Sequence, residues 1–166
     1  MDDLITCIFS AFSGRLHPGI GNITRCTYDK KNGGEFDGPC WECMEMAEYF
    51  ADKSWTNLSA AELRQHGDTD SLFTVAAYCY FLPAYLTAAI RDPSVADVCV
   101  DHLSFRFGPD DAWGKQRLGE IFQVLQPREI TAVQGYFQRV EGQTLDPDEH
   151  RSRALHNLDT VLTNRS

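Results

Sequence analysis

Apolar residues recur at helical spacing along almost the whole chain, a pattern that predicts an all-α protein. The longest apolar segment, residues 71–91, is hydrophobic around nearly its whole circumference and is interrupted once, by Pro83. A helix that is apolar on all sides is typical of a protein core, so this segment predicts a central helix. Its length approaches that of a membrane span, but its tyrosines and threonines and the absence of a basic flank favour a buried core helix.

The other predicted helices are shorter and amphipathic, and capping residues, glycines and prolines delimit them. Ser59 followed by Glu62, for example, is a capping box that begins a short helix. We therefore predict one domain over residues 1–166, a bundle of about seven helices around the central helix 71–91. The seven surrounding helices are predicted over 3–13, 39–53, 60–66, 95–105, 111–125, 127–142 and 148–164.

A long connection over residues 15–38 separates the first two predicted helices and contains several glycines. Short strands could form near residues 19–28. A connection of this length in a compact domain is usually functional or is held by specific contacts.

The charge balance narrows the class of partner. The chain has 166 residues, with 15 basic and 24 acidic side chains and a formal net charge of −9. Phosphate binding requires a basic surface, so this balance disfavours nucleic acid and favours a basic protein partner. The first residues include two acids and no basic start of a secretory signal, which predicts a cytoplasmic protein without a membrane association.

The segment Cys40-Trp41-Glu42-Cys43 is the strongest candidate for chemistry, and three interpretations stay open. Cys40 and Cys43 could bind zinc together with His17 and Cys26, which would also order the long connection. They could form a redox dithiol at a helix start, although no preceding strand is predicted. They could also be small core residues, on one helix side with Met44, Ala47, Phe50 and Ala51.

The opposite side of the same predicted helix is acidic and carries an aromatic residue. It is either a solvated face or a docking surface, on which rigid aromatic side chains supply contact area and carboxylates select a basic partner. Its candidate partner-binding residues are Trp41, Glu45, Glu48 and Asp52, with Glu42 and Tyr49 at the edge.

No set of residues elsewhere indicates catalysis. The five histidines are scattered, with no helical metal-site spacing and no nucleophile elbow. Trp55 and Trp113 are predicted to be core or boundary aromatics.

Three sequence elements together resemble a family of small bacterial proteins of unknown function. They are residues 39–43, the Lys53-Ser54-Trp55 step, and the segment Tyr80-Phe81-Leu82-Pro83-Ala84-Tyr85-Leu86. The resemblance covers about residues 4–90 and implies no catalytic residue. Small acidic single-domain proteins of this kind are similar to cytoplasmic immunity proteins, which neutralise a secreted toxin.

The sequence therefore favours a non-enzymatic, acidic, cytoplasmic binding protein that inhibits a basic protein partner. The resemblance to immunity proteins implies a bacterial toxin as that partner, blocked at its active site. A small zinc-binding protein using Cys26, Cys40, Cys43 and His17 is one alternative. A thiol oxidoreductase on Cys40 and Cys43 is the other.

Overall fold

The computed structural model describes residues 3–25, 40–66, 71–140 and 149–165. Eight α-helices lie in these ranges, and the predicted all-α bundle of about seven helices around a central one is confirmed. β-structure in the same ranges is limited to one isolated antiparallel bridge between Thr24 and Phe73. The helices are α1 Asp3–Phe12, α2 Trp41–Phe50, α3 Ala60–Gln65, α4 Val75–Arg91, α5 Asp97–Phe107, α6 Ala112–Val124, α7 Pro127–Arg139 and α8 Glu149–Asn164.

The central helix is α4, in which every residue from 77 to 89 is buried. It contacts α1, α3, α5, α6 and α7, so its all-round hydrophobicity is explained by neighbours on every side. None of the helices in the described ranges, α4 included, combines the length and hydropathy needed to cross a bilayer.

The start of α4 differs from the predicted one at residue 71. Thr74 is the N-cap, and its Oγ1 accepts a hydrogen bond from the Ala77 amide at 3.1 Å. Phe73 just before it is extended in the bridge to Thr24. A residue in a β-bridge cannot also have helical backbone angles, so α4 cannot include Phe73. The apolar pattern therefore begins several residues before the helix does.

The described part of the predicted connection 15–38, residues 15–25, is fastened to the core. The Arg25 amide donates to the Leu72 carbonyl at 3.0 Å, beside the bridge between Thr24 and Phe73. In the described part of the connection, the short strands predicted near residues 19–28 are thus represented by this single bridge. A 3-10 turn at Ile20–Asn22 lies against α2. The rest of the connection lies outside the described residues.

The C-terminal helix α8 packs on α7 and on α5. Its contact with the end of α5 centres on Gly108, whose carbonyl lies 2.8 Å from His150 Nδ1 and accepts from Arg153 Nε at 3.0 Å. A Cβ atom at position 108 would overlap the His150 backbone carbonyl. Glycine is required here because the two backbones approach closely.

Candidate functional site

The predicted docking surface lies on α2, whose other side is anchored in the core. The buried residues of α2 are Cys43, Met46, Ala47 and Phe50, at the three- and four-residue spacing of one helix face. Cys43, Ala47 and Phe50 lie on the side predicted to face the core, whereas Cys40 and Ala51, predicted on the same side, are only half-buried. Met46 is buried, whereas the predicted Met44 is only partly covered, so the buried side is rotated slightly from the expected one.

Hydrogen bonds and aromatic contacts hold both ends of α2. At the N-terminal end, Thr24 Oγ1 donates to the Cys43 carbonyl at 3.1 Å. At the C-terminal end, His17 Nε2 is 3.0 Å from the Phe50 carbonyl, and the Phe50 and Phe81 rings are 4.8 Å apart. These contacts determine which side of α2 faces the solvent.

The outward side of α2, together with the turn that follows it, forms a surface that we call the acidic face. It consists of five exposed residues, with Trp41 80% exposed: Trp41, Glu42, Glu45, Glu48 and Asp52. Within the part of the chain that the structure describes, none of these four carboxylates makes a salt bridge or a side-chain hydrogen bond. The structure thus places the predicted residues together and leaves their polar groups available.

Glu42 lies in the first turn of α2, where the helix dipole favours a carboxylate, but the other charges of the acidic face do not stabilise the helix. Glu42, Glu45 and Glu48 follow one another at intervals of three residues, so like charges are neighbours on the helix surface. Asp52 lies two residues beyond the end of α2, whereas the sequence predicted a helix to residue 53. Glu48 lies in the last turn of α2, where the helix dipole favours a cation, and that turn contains no basic residue. Each such like-charge pair opposes helix formation by about 0.2–0.5 kcal/mol, so this arrangement lowers stability.

Tyr49, predicted at the edge of the docking surface, has a different environment. Its hydroxyl donates to Glu62 Oε1 at 3.2 Å, and its ring lies 4.1 Å from the His66 ring. Lys53 Nζ lies 4.9 Å from the centre of the Tyr49 ring. Tyr49 therefore connects α2 to α3, and we do not include it in the acidic face.

Glu62 is the polar centre of that connection. The predicted capping box with Ser59 is confirmed, because Glu62 accepts from the Ser59 amide at 2.9 Å and its own amide donates to Ser59 Oγ. The hydrogen bond from the Ser59 backbone, followed by that from the Ser59 hydroxyl, lowers the pKa of Glu62 to about 2. The carboxylate therefore stays charged well below its ordinary pKa of 4.5.

Acid unfolding tests this role of Glu62. Because its pKa is lowered in the folded state, its stabilising contribution is complete above about pH 4.5 and is lost as the pH falls toward 2. We expect Glu62→Gln to lower stability at pH 7 and to flatten the loss of stability between pH 4.5 and 2.5. Urea unfolding across that range measures this, with Glu48→Gln as the exposed control. Equal pH slopes for Glu62→Gln and wild type would contradict the assignment.

The zinc hypothesis requires His17 to lie beside the cysteines of α2. The Gly19 amide donates to His17 Nδ1 at 3.0 Å, so Nε2 carries the proton and donates to the Phe50 carbonyl. Both ring nitrogens are thus engaged, and Phe50 lies about 10 Å along α2 from Cys43. Ligands of one zinc ion lie about 2.0–2.3 Å from the metal, so His17 in this position cannot share a zinc ion with Cys43.

The remaining parts of the zinc and dithiol hypotheses stay predictions. Cys26 lies outside the described residues, and among those described no group of three or more His, Cys, Asp or Glu side chains could hold a metal ion. Cys40 lies half-buried at the N-cap of α2, and Cys43 is buried in its first turns. A redox dithiol has one accessible and one covered sulfur, so this geometry is compatible with either a redox or a core role.

The structure also brings together residues that sequence reasoning did not connect. Trp55 is buried, as predicted for a core aromatic, whereas Trp113 is 56% exposed at the mouth of a cavity. The guanidinium of Arg25 lies 5.4 Å from the Trp113 ring. These two residues are 88 positions apart, and no local pattern in the sequence joins them.

Comparison of the chain with protein-family models, with curated proteins and with solved structures found no match. The resemblance of residues 39–43, Trp55 and residues 80–86 to a bacterial family therefore stays a prediction. What can be said of function rests on the geometry of the acidic face and of the rest of the described residues.

Proposed function

We propose that this chain is a non-enzymatic binding protein that neutralises a basic protein partner through the acidic face of α2. The partner class is a bacterial toxin, whose basic active-site cleft the acidic face would cover. The observation that carries the proposal is the row of unpaired carboxylates around an exposed tryptophan.

The electrostatics of α2 support a cationic partner. The carboxylates repel one another, and Glu48 also lies at the negative end of the helix dipole, so the free protein bears a local electrostatic strain. Lysine or arginine side chains of a partner would relieve that repulsion on binding. Carboxylate patches also steer a basic partner during encounter and reject an acidic one.

The apolar part of the surface supports protein rather than small-ion binding. Trp41 is among the residue types that contribute most to interface energy, because its large rigid ring loses little conformational entropy on binding. Trp41 is 80% exposed, and carboxylates follow it along α2. An exposed aromatic anchor next to charged residues is a usual composition of a protein interface.

The decisive experiment uses the full chain as immobilised bait for extracts of its host, followed by purification of any retained protein. The double variant Trp41→Ala, Glu45→Lys removes the anchor and reverses one charge. We expect it to weaken binding of a basic partner about 100-fold or more, since the loss of a hot-spot residue and like-charge repulsion act together. Calorimetry with the purified partner gives the dissociation constants.

The matched control is Val95→Ala, Glu149→Lys, which shortens one exposed apolar residue and reverses one exposed carboxylate away from α2. It has the same net charge as the test variant and is expected to bind like wild type. A partner bound equally by both variants would refute the acidic face as the binding surface. A partner whose own activity persists at saturating wild-type chain would refute neutralisation.

The alternatives give different results with the same preparation. Stoichiometric zinc that is lost in Cys40→Ser would favour the zinc-binding protein. Reduction of a disulfide substrate, abolished by Cys40→Ser and by Cys43→Ser, would favour the thiol oxidoreductase.

A further inference from the structure

The His17 ring joins three parts of the structure. Its Nε2 lies 3.0 Å from the Phe50 carbonyl at the end of α2, and its Nδ1 accepts from the Gly19 amide at 3.0 Å. The ring packs edge-on against Tyr80 and Phe81 of α4, with centres 4.9 and 5.9 Å apart. His17 therefore fastens the connection after α1 to both α2 and α4.

The two hydrogen bonds of His17 specify the protonation state of its ring. A backbone amide only donates, so Nδ1 has to present a lone pair to Gly19. A carbonyl only accepts, so Nε2 has to carry the proton that is donated to Phe50. The imidazolium form carries protons on both nitrogens and cannot satisfy both partners. The turn around Gly19 therefore requires one neutral tautomer of His17.

Protonation of His17 breaks one of these hydrogen bonds and keeps the other. A proton on Nδ1 removes the acceptor of the Gly19 amide and places two N–H groups opposite each other. The bond from Nε2 to the Phe50 carbonyl is retained, and the negative end of the α2 dipole favours the charged ring. The contact with Gly19 is therefore the one that yields.

The Gly19 amide lies at the start of a turn with exposed apolar residues. Gly19 has a φ of 79°, which glycine adopts at little cost, and it precedes the 3-10 turn Ile20–Asn22. The Asn22 amide donates to the Gly19 carbonyl at 2.9 Å and closes the turn from within. Leu16, 90% exposed, and Ile20, 56% exposed, lie on either side of the His17 contact. Loss of that contact would free the segment that carries both.

The charged groups near His17 in the chain do not pair with its ring. Arg15 forms its ion pair with α7, and Lys53, which follows α2, forms one with α3. Asp52 is exposed, and no carboxylate of the described residues forms an ion pair with His17. In α4, Tyr80 is titratable, but a phenol stays neutral in acid. Uptake of a proton by His17 therefore acts through the hydrogen bond to Gly19.

We propose that His17 is a pH-sensitive switch, whose protonation releases the Gly19 amide and lets the turn of residues 16–20 change conformation. Histidine side chains ordinarily change charge between about pH 5 and 8, so mild acid is the expected trigger. The same use of both ring nitrogens separates His17 from the cysteines of α2. The switch does not depend on the function proposed for the acidic face.

The test is NMR of the full chain, labelled with ¹⁵N, from about pH 8 to about pH 5. At the higher pH we expect the ring nitrogen shifts of the Nε2–H tautomer. We also expect a scalar coupling between Nδ1 and the Gly19 amide nitrogen, which arises only across an N–H···N hydrogen bond. As the ring takes up its proton, this coupling should vanish and the amide shifts of residues 16–20 should change in parallel, with α4 unchanged.

Three results would overturn the proposal. They are a Nδ1–H tautomer at the higher pH, a ring that stays neutral at the lower one, and a turn whose shifts do not follow the protonation of the ring. Each is measured on the wild-type chain, so the test does not depend on a variant that folds.

A variant and a matched control assign the response to this ring. His17→Gln has a donor and an acceptor but takes up no proton in this range, so the amide shifts of residues 16–20 should lose their dependence on pH. The control is His156→Gln, since His156 is an exposed histidine of α8, and it should retain the wild-type response. An equal pH response in His17→Gln and wild type would contradict the switch.

Discussion

Replacing Phe81 with alanine is expected to lower the free energy of unfolding by about 4 kcal/mol. Phe81 is fully buried in α4. Its ring centre lies 4.8 Å from that of Phe50, 5.4 Å from that of Phe73 and 4.9 Å from that of Tyr80. Removing the ring leaves a cavity that these neighbours cannot fill without breaking contacts of their own. The variant therefore loses the transfer free energy of the ring and in addition bears the free-energy cost of the cavity.

Urea unfolding at pH 7 measures this change, and Phe105→Ala is the matched control. Phe105 is 48% exposed, so its ring buries much less area, and we expect a loss below about 1 kcal/mol. Similar losses in the two variants would show that Phe81 is not part of a tightly packed cluster.

Because Phe50 anchors α2 through the same cluster, Phe81→Ala should also loosen the acidic face, which hydrogen exchange of α2 amides would detect.

Replacing Glu129 with alanine is expected to lower the free energy of unfolding by about 3 kcal/mol or more. The Glu129 side chain is 2% exposed and binds the Arg15 guanidinium through two hydrogen bonds, at 2.7 and 2.6 Å. It also accepts from the Gln126 amide at 2.7 Å, at the start of α7. Its loss leaves the Arg15 charge, 16% exposed, with the Val124 carbonyl as its hydrogen-bond partner. An uncompensated buried charge costs about 3–5 kcal/mol, and the residual exposure of Arg15 favours the lower end.

The control for Glu129→Ala is Glu149→Ala, which removes an ion pair of the same length in a different environment. Glu149 pairs with Arg153 at 2.6 Å, but its side chain is 79% exposed. Exposed pairs contribute at most about 1 kcal/mol, because water screens them and the side chains lose entropy on pairing. Equal effects of the two substitutions would contradict the role assigned to burial.

Together, Phe81→Ala, Glu129→Ala and the double variant Trp41→Ala, Glu45→Lys separate the stability of the bundle from the binding by its surface. Trp41→Ala with Glu45→Lys alters exposed positions, so loss of partner binding in that variant is not expected to result from unfolding. Phe81→Ala and Glu129→Ala, in contrast, would weaken any binding through the fold. Loss of binding without loss of stability, in the surface variant, would therefore identify a docking surface.

Several features of this protein follow from the sequence because they depend on neighbours in the chain. The apolar segment 71–91 predicted the central helix, since a helix without a polar side has to be covered on all sides. Ser59 and Glu62 predicted their capping box, which needs contacts across only three residues. The exposed carboxylates of α2 followed from helical spacing, because one apolar side determines where the other side points.

Other features were decided by the tertiary structure, because they join residues whose separation no local pattern specifies. Arg15 and Glu129 are 114 positions apart, and the bridge between Thr24 and Phe73 shortens the predicted central helix at its start. His17 is a candidate zinc ligand by residue type, yet both of its ring nitrogens form hydrogen bonds, one with the Phe50 carbonyl and one with the Gly19 amide. The guanidiniums around Trp113 likewise converge from separate segments. Helical periodicity specifies which side of a helix is buried, whereas the packing of helices specifies which distant side chains meet there.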